Sequence, residues 1–216
     1  VGVAVANKKY ADLISDVLPF LAADPSDPVT EKAIKRTVIE FCAGSWIWQV
    51  FMDPVSVRAA VNEYDLEPET GADVSAVVSA ELDGTPLSAK APTWLHREIP
   101  RWRTVTGTPK YFTQLNTETV LLAPLPQESS NRGLTLTIAQ QPSQNADSFP
   151  AWIYNQFADA LINGAVSRLM LMTGRPWADA GNGMARKSDF EADVANARNT
   201  AVSALGIAPV RSKSQH

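Results

Sequence analysis

Residues 149–174, FPAWIYNQFADALINGAVSRLMLMTG, carry the longest uninterrupted helical signal of the chain. Trp152, Ile153, Phe157, Leu161, Ala165, Leu169 and Met172 recur at steps of three and four, while Asn155, Gln156, Asp159, Asn163 and Ser167 fall mostly on the other side. The spacing predicts a helix buried on one broad face. Ser148 is placed to cap it, and Pro150 falls in the first turn, where its missing N–H is not needed. Gly174, ahead of Arg175-Pro176, stops it. Gly164-Ala165 thins the middle so that another backbone can come close, which offsets a glycine cost of about 1 kcal/mol.

Two further helices are predicted ahead of this one. The first runs from about Lys8 to Ala22, with Tyr10, Leu13, Ile14, Val17, Leu18 and Leu21 as its stripe. After a DPSDP turn, the second runs from about Val29 to Ala43. It sets Ala33, Ile34, Thr37, Val38, Phe41 and Cys42 against Glu31, Lys32, Lys35, Arg36 and Glu40, with Gly44 as its stop. Beyond the long helix, RPWADAGNG reads as a loop, and a last helix spans about Ser188 to Leu205, ended by Gly206. IAPVRSKSQH, residues 207–216, is a basic tail with nothing to fold around.

Between these helices the period changes from near four to two. Trp46, Trp48, Val50 and Met52 alternate with Ile47, Gln49 and Phe51, as in a strand covered on both faces. Val74 to Leu82 alternate likewise, and Asp83-Gly84 is a hairpin signal. TWLHREIPRWR reads as a short helix from about Thr93, interrupted before Pro100. Tyr111 to Leu115, Thr119 to Ala123, and the alternation of Leu134, Leu136 and Ile138 are strands, with PLPQESSNRG as a polar loop. The expected fold is α+β: a helical bundle core of about four helices, residues 1–45 and 143–206, with an antiparallel β lobe, 46–142, inserted in it.

A net charge of -4 with no block of lysine and arginine speaks against a protein that grips a phosphate backbone. The single cysteine, Cys42, leaves no internal disulfide and sits in an apolar run that reads as buried. No run reaches the ~18 apolar residues of a bilayer span, and VGVAVAN lacks the basic residues of a signal peptide, so the chain reads as soluble and intracellular when made.

Catalytic motifs are missing from the sequence. His96 has no second histidine or cysteine near it, and no GxSxG, P-loop or GxGxxG is present. Glu63, Asp65, Glu67, Glu69 and Asp73 cluster, which leaves open a carbohydrate hydrolase using Glu67 or Glu69 with Asp73; they also flank a proline turn, where a solvated loop collects the same charges. The reading is therefore no catalytic residues, no cofactor and no metal. Trp46, Trp48 and Phe51, together with Arg211 and Lys213 of the tail, are the interface candidates.

Several ordered motifs resemble one family. FC followed by W-x-W (Phe41 to Trp48), Tyr64-x-Leu66-x-Pro68-x-x-Gly71, FPAW from Phe149, NGA at Asn163 to Ala165 and PWAD from Pro176 are similar to the tail tubular protein A family of podophages. The likeness covers about Ile34 to Phe190. It implies a head-to-tail adaptor: a helical core with an inserted β lobe, a ring, dodecameric in that family, docked beneath the portal protein and joined to a tail or nozzle protein, and a channel through which genomic DNA passes without specific binding. The place implied is the virion neck, reached from the host cytoplasm during assembly. A tail terminator or other neck protein is the alternative, since ring proteins share the same needs.

Overall fold

The apolar stripe of Ile153, Leu161, Ala165 and Leu169 is buried, as its spacing predicts. In the computed structural model, which describes residues 6–203, the chain is a mixed α+β protein with five helices and a curled sheet. In chain order the elements are β1 (Asn7–Lys9), α1 (Ile14–Val17), α2 (Asp27–Ser45), β2 (Gln49–Phe51), β3 (Val55–Val57), β4 (Glu63–Asp65), β5 (Ala72–Leu82) and β6 (Thr85–Ala89). There follow α3 (Pro92–Glu98), β7 (Thr106–Gly107), β8 (Tyr111–Gln114), β9 (Thr119–Ala123), β10 (Leu125–Pro126), β11 (Ser130–Pro142), β12 (Ser148–Pro150), α4 (Ala151–Met170) and α5 (Ala180–Ser203). Two compact units result, and the chain passes between them at Ile47–Trp48 and Asp147–Ser148.

The helical unit is built on α2, α4 and α5. Gly164 lies where all three converge: a Cβ there would run into the Thr37 methyl of α2 and the Phe190 ring of α5. The Phe41 ring packs tilted against Phe157 at 5.0 Å and Phe190 at 6.3 Å, so each long helix contributes one ring to the centre. At Phe157 the backbone leaves helical geometry (φ -129°, ψ 27°), which kinks α4. Ser167, expected on the polar side of α4, is instead buried, and its hydroxyl donates to the Gly164 carbonyl at 2.8 Å.

Four expectations for this unit are corrected. The helix expected over Lys8–Ala22 is a strand, a 3₁₀ turn, the single turn α1 and a second 3₁₀ turn. Asn7–Lys9 pair with Ser148–Pro150, and Pro19 has no N–H with which to extend α1, so the bundle of about four helices reduces to three long ones and this turn. Tyr10, Leu13 and Val17 are nonetheless buried. Gly44 does not end α2: the helix runs on to Ser45, and Trp46 closes it in the left-handed region (φ 54°). Ser148 is not the cap of α4 but part of β12, which leads into it. AGNG is not a loop but the first turn of α5, where the Asp179 carboxylate accepts the Asn182 backbone N–H at 3.1 Å. Gly206, the expected stop, lies outside the described residues.

The β unit is an eight-stranded sheet in the order β2-β11-β5-β6-β8-β9-β4, with β3 also on β11. The long pair β5 and β11 is antiparallel, and its register shifts twice, between Thr137 and Ile138 and between Ala139 and Gln140. Such shifts raise local twist, in keeping with a sheet that curls. Asp83 (φ 49°) and Gly84 (φ 76°) make the β5–β6 hairpin with both central residues left-handed, the geometry that matches strand twist. The lobe expected to be antiparallel is mixed, since β6 pairs with β8, and β7 with β10, in parallel. The polar loop expected over PLPQESSNRG shrinks to a few residues, because Leu125–Pro126 and Ser130 onward are strand. Val74, Val77, Leu87, Phe112, Leu122, Leu134, Leu136 and Ile138 fill the core.

Candidate functional site

The tryptophans and phenylalanine expected at an interface have separate fates. Trp46 belongs to the helical unit, where its N–H bonds the Cys42 carbonyl at 3.0 Å and its ring lies under the Arg198 guanidinium at 3.5 Å. Trp48, only 8% exposed, packs as core, with its carbonyl accepting the Gln140 N–H at 2.8 Å. Phe51 is 85% exposed, on β2 at one end of the sheet order. A large apolar ring open to water on an edge strand is a feature that a partner surface would cover. The strand expected over the whole of Trp46–Met52 is confined to Gln49–Phe51, because Trp46 is spent closing α2. Arg211 and Lys213 lie outside the described residues.

The acidic residues do not assemble a chemical centre. Glu63 and Asp65 lie on β4, and Glu67, Glu69 and Asp73 follow in the connection to β5 and at its start; all five are exposed. Among the described residues, no group of three or more His, Cys, Asp or Glu side chains is placed to hold a metal ion. Burial pushes the Cys42 thiol up to about 12, which removes the thiolate that reactivity needs. His96 is exposed at the end of α3 and meets the Trp102 ring edge-on at 5.9 Å.

A second feature was not anticipated. A groove of about 900 Å³ opens in the helical unit, lined by one side of α2 from its start to Glu40, the C-terminal end of α4 with the turn after it, and α5. Ala33, Gly164, Leu171, Trp177 and Phe190 form its apolar part. Lys32, Arg36, Arg168, Arg175 and Lys187 surround them, with Glu40 as the one carboxylate among the described lining residues. Arg168 pairs with Glu40, and Lys187 lies 3.5 Å from Glu191. Lys32, Arg36 and Arg175 form no ion pair among the described residues. Burial, and then the neighbouring Arg36 charge, hold Arg168 below the ordinary arginine pKa, so the cations here feel one another. In the linear sequence Lys32 and Arg36 read as a solvated helix face, and nothing marks Arg168 and Arg175 as their neighbours.

The two features on the page are thus an exposed ring on a sheet edge and a cationic groove. The model of the SU10 adaptor protein family matches residues 8–213, all but the ends of the chain. The chain belongs to the SU10 adaptor protein family. Membership makes it a phage head-to-tail adaptor, a structural component of the virion neck, broader than the tail tubular grouping that the motifs resemble. No curated protein matches the chain. Among the described residues, no helix is long and apolar enough to cross a membrane.

Proposed function

We propose that the chain is a neck subunit of the tail tubular protein A type. Copies assemble as a closed ring, a dodecamer, beneath the portal protein, join it to the tail or nozzle protein and continue the DNA channel. The observation that carries this reading is the family match over nearly the whole chain. Two features agree with it. Phe51, open on an edge strand, gives the β lobe at about 46–142 a lateral contact, and a heterologous ring contact needs two different patches on each subunit. A net charge of -4, repeated around a ring, repels phosphates and lets DNA pass without being held. The basic tail at 207–216, with Arg211 and Lys213, contributes a contact to the portal.

Co-sedimentation of the purified protein with DNA-filled, portal-bearing heads that lack tails tests the reading. Binding to these heads, and no binding to shells without a portal, is the expected result; deletion from Pro209 onward should weaken it. Equal recovery with and without the portal would overturn it.

A further inference from the structure

The groove in the helical unit combines two unmet needs. Lys32, Arg36 and Arg175 line it and form no ion pair among the described residues. Trp177, which also lines it, has its indole Nε1 buried with no hydrogen-bond acceptor. A buried donor left unpaired is costly, and few native structures keep one without a reason. Of these two needs only that of the exposed cations can be met from outside, and it calls for an anionic group carried on a body small enough to enter.

The chain itself presents such a body. Asp65 ends β4, Glu67 and Glu69 lie in the β4–β5 connection and Asp73 is near the start of β5; all four are exposed and form no ion pair among the described residues. The connection is held in one shape. Ala72 N–H donates to the Glu69 carbonyl at 3.0 Å, Gly71 takes a φ of 83°, and Ser143 N–H donates to the Gly71 carbonyl at 2.9 Å. A turn already fixed loses little entropy on docking.

We propose that the groove of one copy receives the acidic β4–β5 turn, residues 65–73, of a second copy of this chain. The inference rests on the ring assembly proposed above and names its contact. Groove and turn are different patches on different units, so the contact is heterologous and propagates head to tail until it closes. Charge complementarity sets its register and suppresses the wrong partners. The segment 207–216 carries Arg211, Lys213 and no acidic residue, so its charge has the same sign as the groove. A nucleic-acid backbone suits an open basic surface better than apolar walls with Glu40 among them.

Cysteines placed beside the charges test this without removing them. Thr70→Cys in the turn and Met172→Cys in the groove are combined in one chain and treated with a short bis-maleimide, both in concentrated free protein at low salt and on tailless heads; native Cys42 is buried. A ladder of covalent multimers is expected, lost at least tenfold in the added Arg36→Glu/Arg175→Glu background and recovered when Glu67→Lys/Glu69→Lys is added to it. Absence of the ladder from both samples would overturn the contact, as would a ladder indifferent to the charge reversals. Salt-sensitive duplex DNA binding that Arg36→Glu/Arg175→Glu abolishes, without a ladder, would overturn it in favour of a phosphate site. Loss of head attachment with the ladder intact in free protein would count against the portal role alone.

Discussion

Arg198 sets its guanidinium 3.5 Å from the centre of the Trp46 ring and donates from Nη1 to the Gly44 carbonyl at 3.0 Å. One side chain of α5 thereby finishes the C-terminus of α2. A left-handed non-glycine residue costs about 1–2 kcal/mol, and Trp46 adopts that conformation at φ 54°. A cation stacked on the ring and bonded to a last-turn carbonyl offsets this cost, because the helix C-terminus carries partial negative charge. Arg198→Ala is expected to lower unfolding free energy by about 1–3 kcal/mol, with Arg198→Lys in between, as read from urea denaturation.

Gly164 gives a second stability test. Alanine is the better helix former by about 1 kcal/mol, yet the added methyl meets the Thr37 methyl and the Phe190 ring. Overpacking of this kind costs about 1–3 kcal/mol, so Gly164→Ala is expected to be destabilising despite propensity. A rise in thermal midpoint would show that the three helices do not meet as closely as described.

Cys42 supplies a pH dependence. Burial raises its pKa from 9.0 to about 12 in the folded chain. Above pH 9 the unfolded thiol gives up its proton while the folded one keeps it, so the unfolded state binds fewer protons and stability falls as pH climbs from about 9 toward 12. Urea midpoints across that range should fall less steeply in Cys42→Ala. In the native protein at pH 8, a thiol reagent should modify Cys42 only as fast as the chain opens.

Phe51 separates folding from assembly. At 85% exposure its ring contributes little to the isolated subunit, so Phe51→Ala should leave the urea midpoint within about 0.5 kcal/mol of the parent. Attachment to tailless heads should nevertheless weaken at least tenfold, measured by the protein concentration needed to saturate the pellet.

The main helices could be read from the sequence because their apolar stripes face real neighbours: Phe41 meets Phe157 and Phe190 at the positions their spacing implies. The β5–β6 hairpin could be read because Asp83-Gly84 is a turn whose backbone demand is local. Sequence and structure part where a local signal loses to packing. Gly181 and Gly183 argued for a loop, yet a Cβ at Gly183 would stand only 3.1 Å from Met170 and Leu171, so the glycine serves helix approach. Asp179 was the overlooked signal. The Asn182 backbone N–H, then its side chain, hold the Asp179 carboxyl below the usual carboxylate range, as expected of a charged helix cap. Trp48 and Phe51 are three residues apart and share one apolar run in the sequence, but only Phe51 is open. The groove stayed hidden because Lys32, Arg168 and Arg175 come together only through the fold.

Imaging of portal-bearing, tailless heads pelleted with the protein tests the central claim most directly. The expected result is a closed ring of density at the single portal vertex, with one copy of the chain for each portal subunit. Heads that pellet with bare portal vertices, while the protein stays folded in the supernatant, would contradict it.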